Sequence, residues 1–251
     1  KVGESGVLGF SVMSLDFGEI EITTVELPDG GLGTYSPKFM NMSMSYARIF
    51  SNSIYGGATV KIISEQISNV GASGIALDAG IQYVTGSKDN LKFGISLKNV
   101  GPRISFTGDG LSFRGIVGDD DDYKMTVEQR SSELELPALL NIGTSYDIHI
   151  IQRHRITAAG TFTSNSFQKD QYRFGAEYSY REMFMFRFGY THEEGLRNSN
   201  TRTTALRGPS AGFTIELPMG GDSGSTFGLD YSYRHTDPFQ GSHAIGARIN
   251  L

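Results

Sequence analysis

The chain has no cysteine among its 251 residues. That excludes disulfides, thiolate metal sites and cysteine nucleophiles, and it fits an exported protein. No basic stripe is present: the formal net charge is −5 and the pI near 5.6, which argues against nucleic acid as a partner. No apolar run approaches the roughly 20 residues of a transmembrane helix, and no stretch of helix length carries a 3.6-residue apolar stripe. A membrane is not thereby excluded. A spanning β-strand needs only about 9–11 residues with every second one apolar. At the start, Lys1-Val-Gly-Glu has no apolar signal core. The expectation is that the chain begins inside a mature protein, with residues missing upstream.

Chemical motifs are equally scarce. No G-x-S-x-G elbow occurs, and Ser, His and Asp are scattered without a triad arrangement. Glycine-rich stretches such as LPDGGLG do not open helices, so they lack the context of a phosphate cradle. His149 and His154 flank a short turn and read as a solvated pair rather than metal ligands. The acid run Asp119–Asp122 lacks the spaced ligands and turn glycine of a calcium loop and reads as a solvated tip. The expectation is a protein that is not an enzyme and holds no metal or cofactor.

What is abundant is glycine (32), Phe (16) and Tyr (12), arranged with period two. The stretch from Gln171 to Tyr190 shows the design. Tyr172, Phe174, Ala176, Tyr178 and Tyr180 alternate with Gln171, Arg173, Gly175, Glu177 and Ser179. After Arg181–Met183 the alternation resumes, with Phe184, Phe186, Phe188 and Tyr190 against Met185, Arg187 and Gly189. A hairpin there sets Tyr180 opposite Phe184 and Tyr178 opposite Phe186, with the aromatic rows on one face and the charged rows on the other.

Twelve segments read this way: about 6–25 (kinked near Asp16–Gly18), 39–50, 54–66, 73–85, 91–106, 138–149, 155–166, 171–180, 184–193, 209–218, 225–236 and 242–251. The connections at 51–53, 86–90, 150–154, 181–183 and 219–224 are short, whereas 26–38, 107–137 and 194–208 are long and fall at the other parity. In a meander, that sorting gives one short rim and one rim of long loops, as in outer-membrane barrels. The polar rows carry mixed charge (Lys92, Asp147, Arg173, Glu177, Arg187, Glu216, Asp230, Arg234, Arg248). A soluble β-sandwich explains any one strand as well. Over twelve strands, however, a closed barrel is too wide to fill with side chains, so an apolar exterior in lipid fits better. The expected fold is all-β: a transmembrane antiparallel up-and-down β-barrel, one domain over 1–251, integral to the outer membrane with its long loops extracellular and outer-membrane lipids around it.

From about Phe162 onward, FTSNSFQKDQYRFGAEYSYREMFMFRFGYTHEEG, GPSAGFTIELP and TFGLDYSYRHTDPFQGSHAIGARINL resemble the PorV/PorQ family, the FadL-like outer-membrane barrels of the Bacteroidetes type IX secretion system. Less specific stretches such as MSMSYARIFSNSIYGGATVKII and LKFGISLKNVGPRISF fit the same family. The resemblance implies about fourteen strands in the complete protein, against twelve read here. The terminal Leu251 also departs from the Phe common at barrel C-termini. It further implies partners: a giant Sov/SprA-type translocon, the C-terminal signal domains of secreted cargo, and a PorU-type sortase complex. The alternative is a FadL-like transporter of hydrophobic small molecules.

The most informative loop is 107–137, where Leu111, Phe113, Ile116 and Val117 stand among glycines and acids. Exposed apolar residues need a cover. Leu111, Phe113 and Ile116 either dock into a partner or fold inward to plug the mouth. Tyr35 and Phe239, on other loops, are candidates of the same kind, as is Pro37.

Overall fold

A computed structural model describes residues 2–3, 5–116, 124–196, 198, 202, 204–219 and 224–250. Val117, the Asp119–Asp122 run and Leu251 lie outside the described residues. The strands are β1 (Gly6–Asp16), β2 (Ile20–Glu21), β3 (Thr34–Tyr35), β4 (Lys38–Ser51), β5 (Ile54–Ile67), β6 (Val70–Thr85), β7 (Leu91–Val100) and β8 (Ser112–Ile116). They continue as β9 (Lys124–Glu128), β10 (Leu139–Ile151), β11 (His154–Asn165), β12 (Gln171–Tyr180), β13 (Phe184–Glu193), β14 (Leu206–Pro218), β15 (Thr226–Thr236) and β16 (Ser242–Asn250). One 12-stranded sheet runs β1-β4-β5-β6-β7-β10-β11-β12-β13-β14-β15-β16, which is the expected up-and-down order. Its strands reach or exceed the length a tilted membrane-spanning strand needs. The expected hairpin is present in register, with Tyr180 opposite Phe184 and Tyr178 opposite Phe186.

Burial is inverted relative to a water-soluble protein. Among the described residues the buried apolar side chains reduce to Ile63, Ala72, Ala76, Val84, Ile104 and Leu196. Buried polar ones are as frequent: Asp147, Thr163, Gln171, Ser179, Glu193 and Thr214. Meanwhile Phe10, Phe174, Phe188 and Ile245 stand 60–82% exposed on the sheet's apolar face. A sandwich would have buried that aromatic face as its core. Here it is left exposed. At the strand ends Tyr and His pair on the same face, His154 Nδ1 with the Tyr178 hydroxyl at 2.8 Å and His243 Nδ1 with Tyr231 at 2.8 Å. His154, half-buried at the start of β11, and His243 on β16 each pair with a tyrosine, and such amphipathic rings suit a membrane interface.

The chain divides into two compact units: Lys1–Ile49, Gly56–Ala79 and Lys98–Pro137 in the first, and Phe50–Tyr55, Gly80–Leu97 and Ala138–Leu251 in the second. In the first, β1 lies antiparallel to β4 from Gly6 opposite Arg48 to Asp16 opposite Lys38. The expected strand over 6–25 stops at Asp16, because its carboxylate accepts the Gly18 amide at 2.9 Å and turns the chain. Ile20–Glu21 then pairs with Thr34–Tyr35 in a ribbon that the alternation did not predict. The 91–106 strand likewise ends early, at Val100, before Gly101-Pro102, where proline removes a ladder donor. Gly101 is obligatory: a Cβ there would sit 2.2 Å from the Ile75 carbonyl oxygen. Gly101→Ala is expected to destabilise the protein by about 2–4 kcal/mol, read as a lowered urea midpoint for unfolding from lipid vesicles.

Candidate functional site

In the second unit, β10 to β16 form a continuous meander whose polar face carries a ladder of side chains. Lys92 Nζ donates to Asp147 at 2.7 Å, and Thr157 Oγ1 donates to the other Asp147 oxygen at 2.5 Å. Arg155 reaches Thr157, Glu177 (3.0 Å) and Glu182 (2.7 Å). Arg187 continues the line to Glu177 (2.6 Å) and to the Thr214 hydroxyl (2.6 Å), which in turn meets Asp230. The ladder therefore crosses β7, β10, β11, β12, β13, β14 and β15, consecutive in the sheet, with alternating sign. A second rung joins Glu216 to Arg248 (2.8 Å), Thr226 (2.6 Å) and Asn250 (3.1 Å). The first unit has its own anchor: Lys61 bridges Asp78 (2.5 Å) and Asn99 (2.9 Å), and the Asn99 amide donates to Asp78 at 2.8 Å. Charge-assisted bonds of this kind contribute about 1.5–3 kcal/mol each when shielded; the more exposed Arg187–Asp230 end contributes less.

Beside the ladder the side chains shrink. Ala159 lies opposite Gly175, Gly175 opposite Gly189, and Gly189 opposite Ser210; Gly212 faces Ser232, which faces Ala244. These residues floor a trough of about 630 Å³, with Glu177, Arg187 and Asp230 at one end and Arg234 at the other. A smaller cavity of about 230 Å³ adjoins it, sharing Gly189, Ser210 and Arg234 and adding Gln171, Arg173 and Thr191. Volumes of this order match small-molecule sites. The alternation marked both faces, but this concentration of small residues against paired charges emerges only from the cross-strand register.

The loop residues expected to serve as a site are placed as follows. Leu111 ends a 3-10 turn (Asp109–Leu111) and is half-buried. Phe113 and Ile116 are 54% and 53% exposed on the β8–β9 ribbon, which was not predicted. They do not share a face. Phe113 opposite Val127 and Gly115 opposite Met125 make one side, whereas Ile116 opposite Lys124 belongs to the other. Met125, 54% exposed, is the residue that sequence reasoning missed; its signal was its place in the short alternating run KMTVE. Tyr35 is half-buried on β3 opposite Ile20. Phe239 is 68% exposed, and its carbonyl accepts the Thr236 hydroxyl at 3.1 Å.

No protein-family model matches the chain, and no curated protein matches it. Solved structures do. The Ralstonia pickettii toluene transporter TbuX is 13% identical at TM-score 0.54, over 97% of this chain and 76% of that one. The Pseudomonas putida toluene transporter TodX is 12% identical at TM-score 0.53, over the same shares. The β domain of the Bordetella autotransporter Brka is 13% identical at TM-score 0.52, over 97% of this chain and 98% of that one. At such identities the likeness concerns fold and not activity. The chain has the antiparallel β-barrel fold of these outer-membrane proteins.

Proposed function

We propose that this chain is a single, non-enzymatic barrel integral to the outer membrane, which takes small hydrophobic molecules into its lumen as a FadL-like transporter. The carrying observation is the trough of about 630 Å³ floored by Ala159, Gly175, Gly189, Ser210 and Gly212 on the polar, lumenal face. Two toluene transporters among the structures of like fold support the same reading. The test is mild-detergent purification of tagged protein from native outer membranes, with mass spectrometry of what accompanies it. A lone barrel carrying lipids or other hydrophobic small molecules is the expected result. Filling the trough with Gly175→Leu, where the nearest neighbour to a new Cβ is 3.7 Å away, should remove those molecules and leave the barrel folded. Retention of the full complement by the variant would sink the transporter reading.

A second reading keeps the type IX secretion role. In it the barrel binds a Sov/SprA-type translocon and the C-terminal signal domains of cargo, then passes cargo to a PorU-type sortase complex. It is supported by the wording of the last ninety residues and by the apolar face of the β8–β9 ribbon, Phe113 with Met125, on the loop read as extracellular. Leu111, Ile116, Tyr35 and Phe239 remain its further candidate contacts. The same purification tests it: this reading expects translocon, sortase or cargo in the eluate, and Phe113→Asp to abolish their recovery without unfolding the barrel. Survival of that recovery in the variant would remove the ribbon from the contact.

A further inference from the structure

Inside β7 one residue leaves the extended conformation. Asn99 has a φ of 60°, in the left-handed region that asparagine tolerates, and β7 ends one residue later. Its N–H and its side chain are all engaged. The N–H donates to Asp78 Oδ1 at 2.8 Å, the side-chain oxygen accepts from Lys61 Nζ at 2.9 Å, and the side-chain nitrogen donates to the Pro137 carbonyl at 3.0 Å. Lys61 and Asp78, paired at 2.5 Å, are only 15% and 18% exposed in their side chains. Asn99 thus joins a shielded ion pair on the polar face to both ends of the connection that carries β8 and β9, which leaves β7 just after Asn99 and reaches β10 just after Pro137.

That connection is docked along β6. Gly71 and Thr107 exchange backbone hydrogen bonds at 2.9 Å, and Ile104 and Leu134 exchange theirs at 2.8 and 2.7 Å, closing its two arms on each other. Ile104 is buried where a side chain on Gly74 would stand, and Leu136 lies against Gly101. The pairs of Arg103 with Glu133 and Glu135 add little, because all three side chains are more than half exposed. The shielded polar anchor of the arms is therefore Asn99. Removing one member of such a network leaves the others short of partners in a low-dielectric site, so a change at the ion pair reaches Pro137 through one side chain. We infer that Lys61, Asp78 and Asn99 form a latch. It couples charge pairing on the polar face of the wall to the docking of the connection, and so to the presentation of Phe113 and Met125 on the β8–β9 ribbon. The latch is independent of what the lumen carries.

The test is hydrogen exchange of the full chain in lipid nanodiscs, read on peptides spanning 102–107 and 131–136, with the β12–β13 hairpin as internal reference. Asn99→Asp keeps the left-handed backbone and the oxygen for Lys61 but loses the donor to Pro137. Lys61→Gln removes the cation on the other side of the latch, and the hydrogen bonds of Lys61 go to Asp78 and Asn99 rather than to either peptide. Both variants are expected to speed exchange at least tenfold in the two peptides and to leave the hairpin at its wild-type rate. Lys61→Gln decides alone if Asn99→Asp does not fold. Unchanged exchange of the two peptides in a folded variant overturns the inference. Equal acceleration in the hairpin also overturns it, because Asn99 and Lys61 would then serve only global stability.

Discussion

Arg155→Ala is expected to destabilise the barrel by about 3 kcal/mol, a cost typical of removing one partner from a shielded ion-pair network. Arg155 is only 18% exposed in its side chain and serves Glu177 and Glu182, with the Asp147 carboxylate 3.6 Å away. Its loss leaves Glu177, 20% exposed, with Arg187 alone and brings like charges together without a cation between them. Urea unfolding of the vesicle-embedded protein measures the effect. Arg181→Ala in the adjacent turn, where the guanidinium lies over the Tyr180 ring at 5.3 Å, should cost under about 1 kcal/mol. Equal costs for the two variants would mean that the ladder does not hold the wall together.

The same arginine sets a pH dependence at the rim. Its hydrogen bond holds Glu182, in the Arg181–Met183 turn, below the ordinary carboxylate range. A carboxylate depressed in the folded state contributes stability that is fully present above its unfolded value and is lost as pH falls through the folded one. Wild-type protein should thus lose stability as pH falls through and below the ordinary carboxylate range, and Glu182→Gln should lose less over that interval. The side chain is 58% exposed, so the difference is small, and screening by salt should shrink it further.

The second large effect tests which face meets lipid. Phe188 lies midway along β13 on the apolar face, 61% exposed, between Ala176 and Ala211 on the neighbouring strands. Phe188→Arg should cost about 2–4 kcal/mol in a bilayer, the depth-dependent cost of a cation on a barrel's outer wall. Phe188→Leu should stay within about 1 kcal/mol. On a water-facing wall the arginine would change stability by no more than about 0.5 kcal/mol. That result would remove the membrane assignment altogether.

The alternation is a local property, and it was fully legible in the chain. Residues two apart project to one face whatever the rest of the protein does, so the aromatic and charged rows, the Tyr180–Phe184 hairpin and the strand order all followed from composition and turn length. Local signals also failed in identifiable places. Asp16 and Gly101-Pro102 cut two strands short through a side-chain turn and a missing donor; the β2–β3 ribbon is too short to show a period, and the five-residue alternation of β9 was passed over inside a long loop. Ile116 was grouped with Phe113 by proximity in sequence, yet their odd spacing sends them to opposite sides of the ribbon. What only the tertiary structure decided is which charges meet. Lys92 and Asp147 are 55 residues apart, and their contact depends on the register of β7 against β10 across a long connection. Arg155, by contrast, draws its acids from the consecutive hairpins that flank β11. A one-residue slip in any of those pairings would turn a strand's charges toward lipid, and burial of the polar face against that penalty fixes the partners.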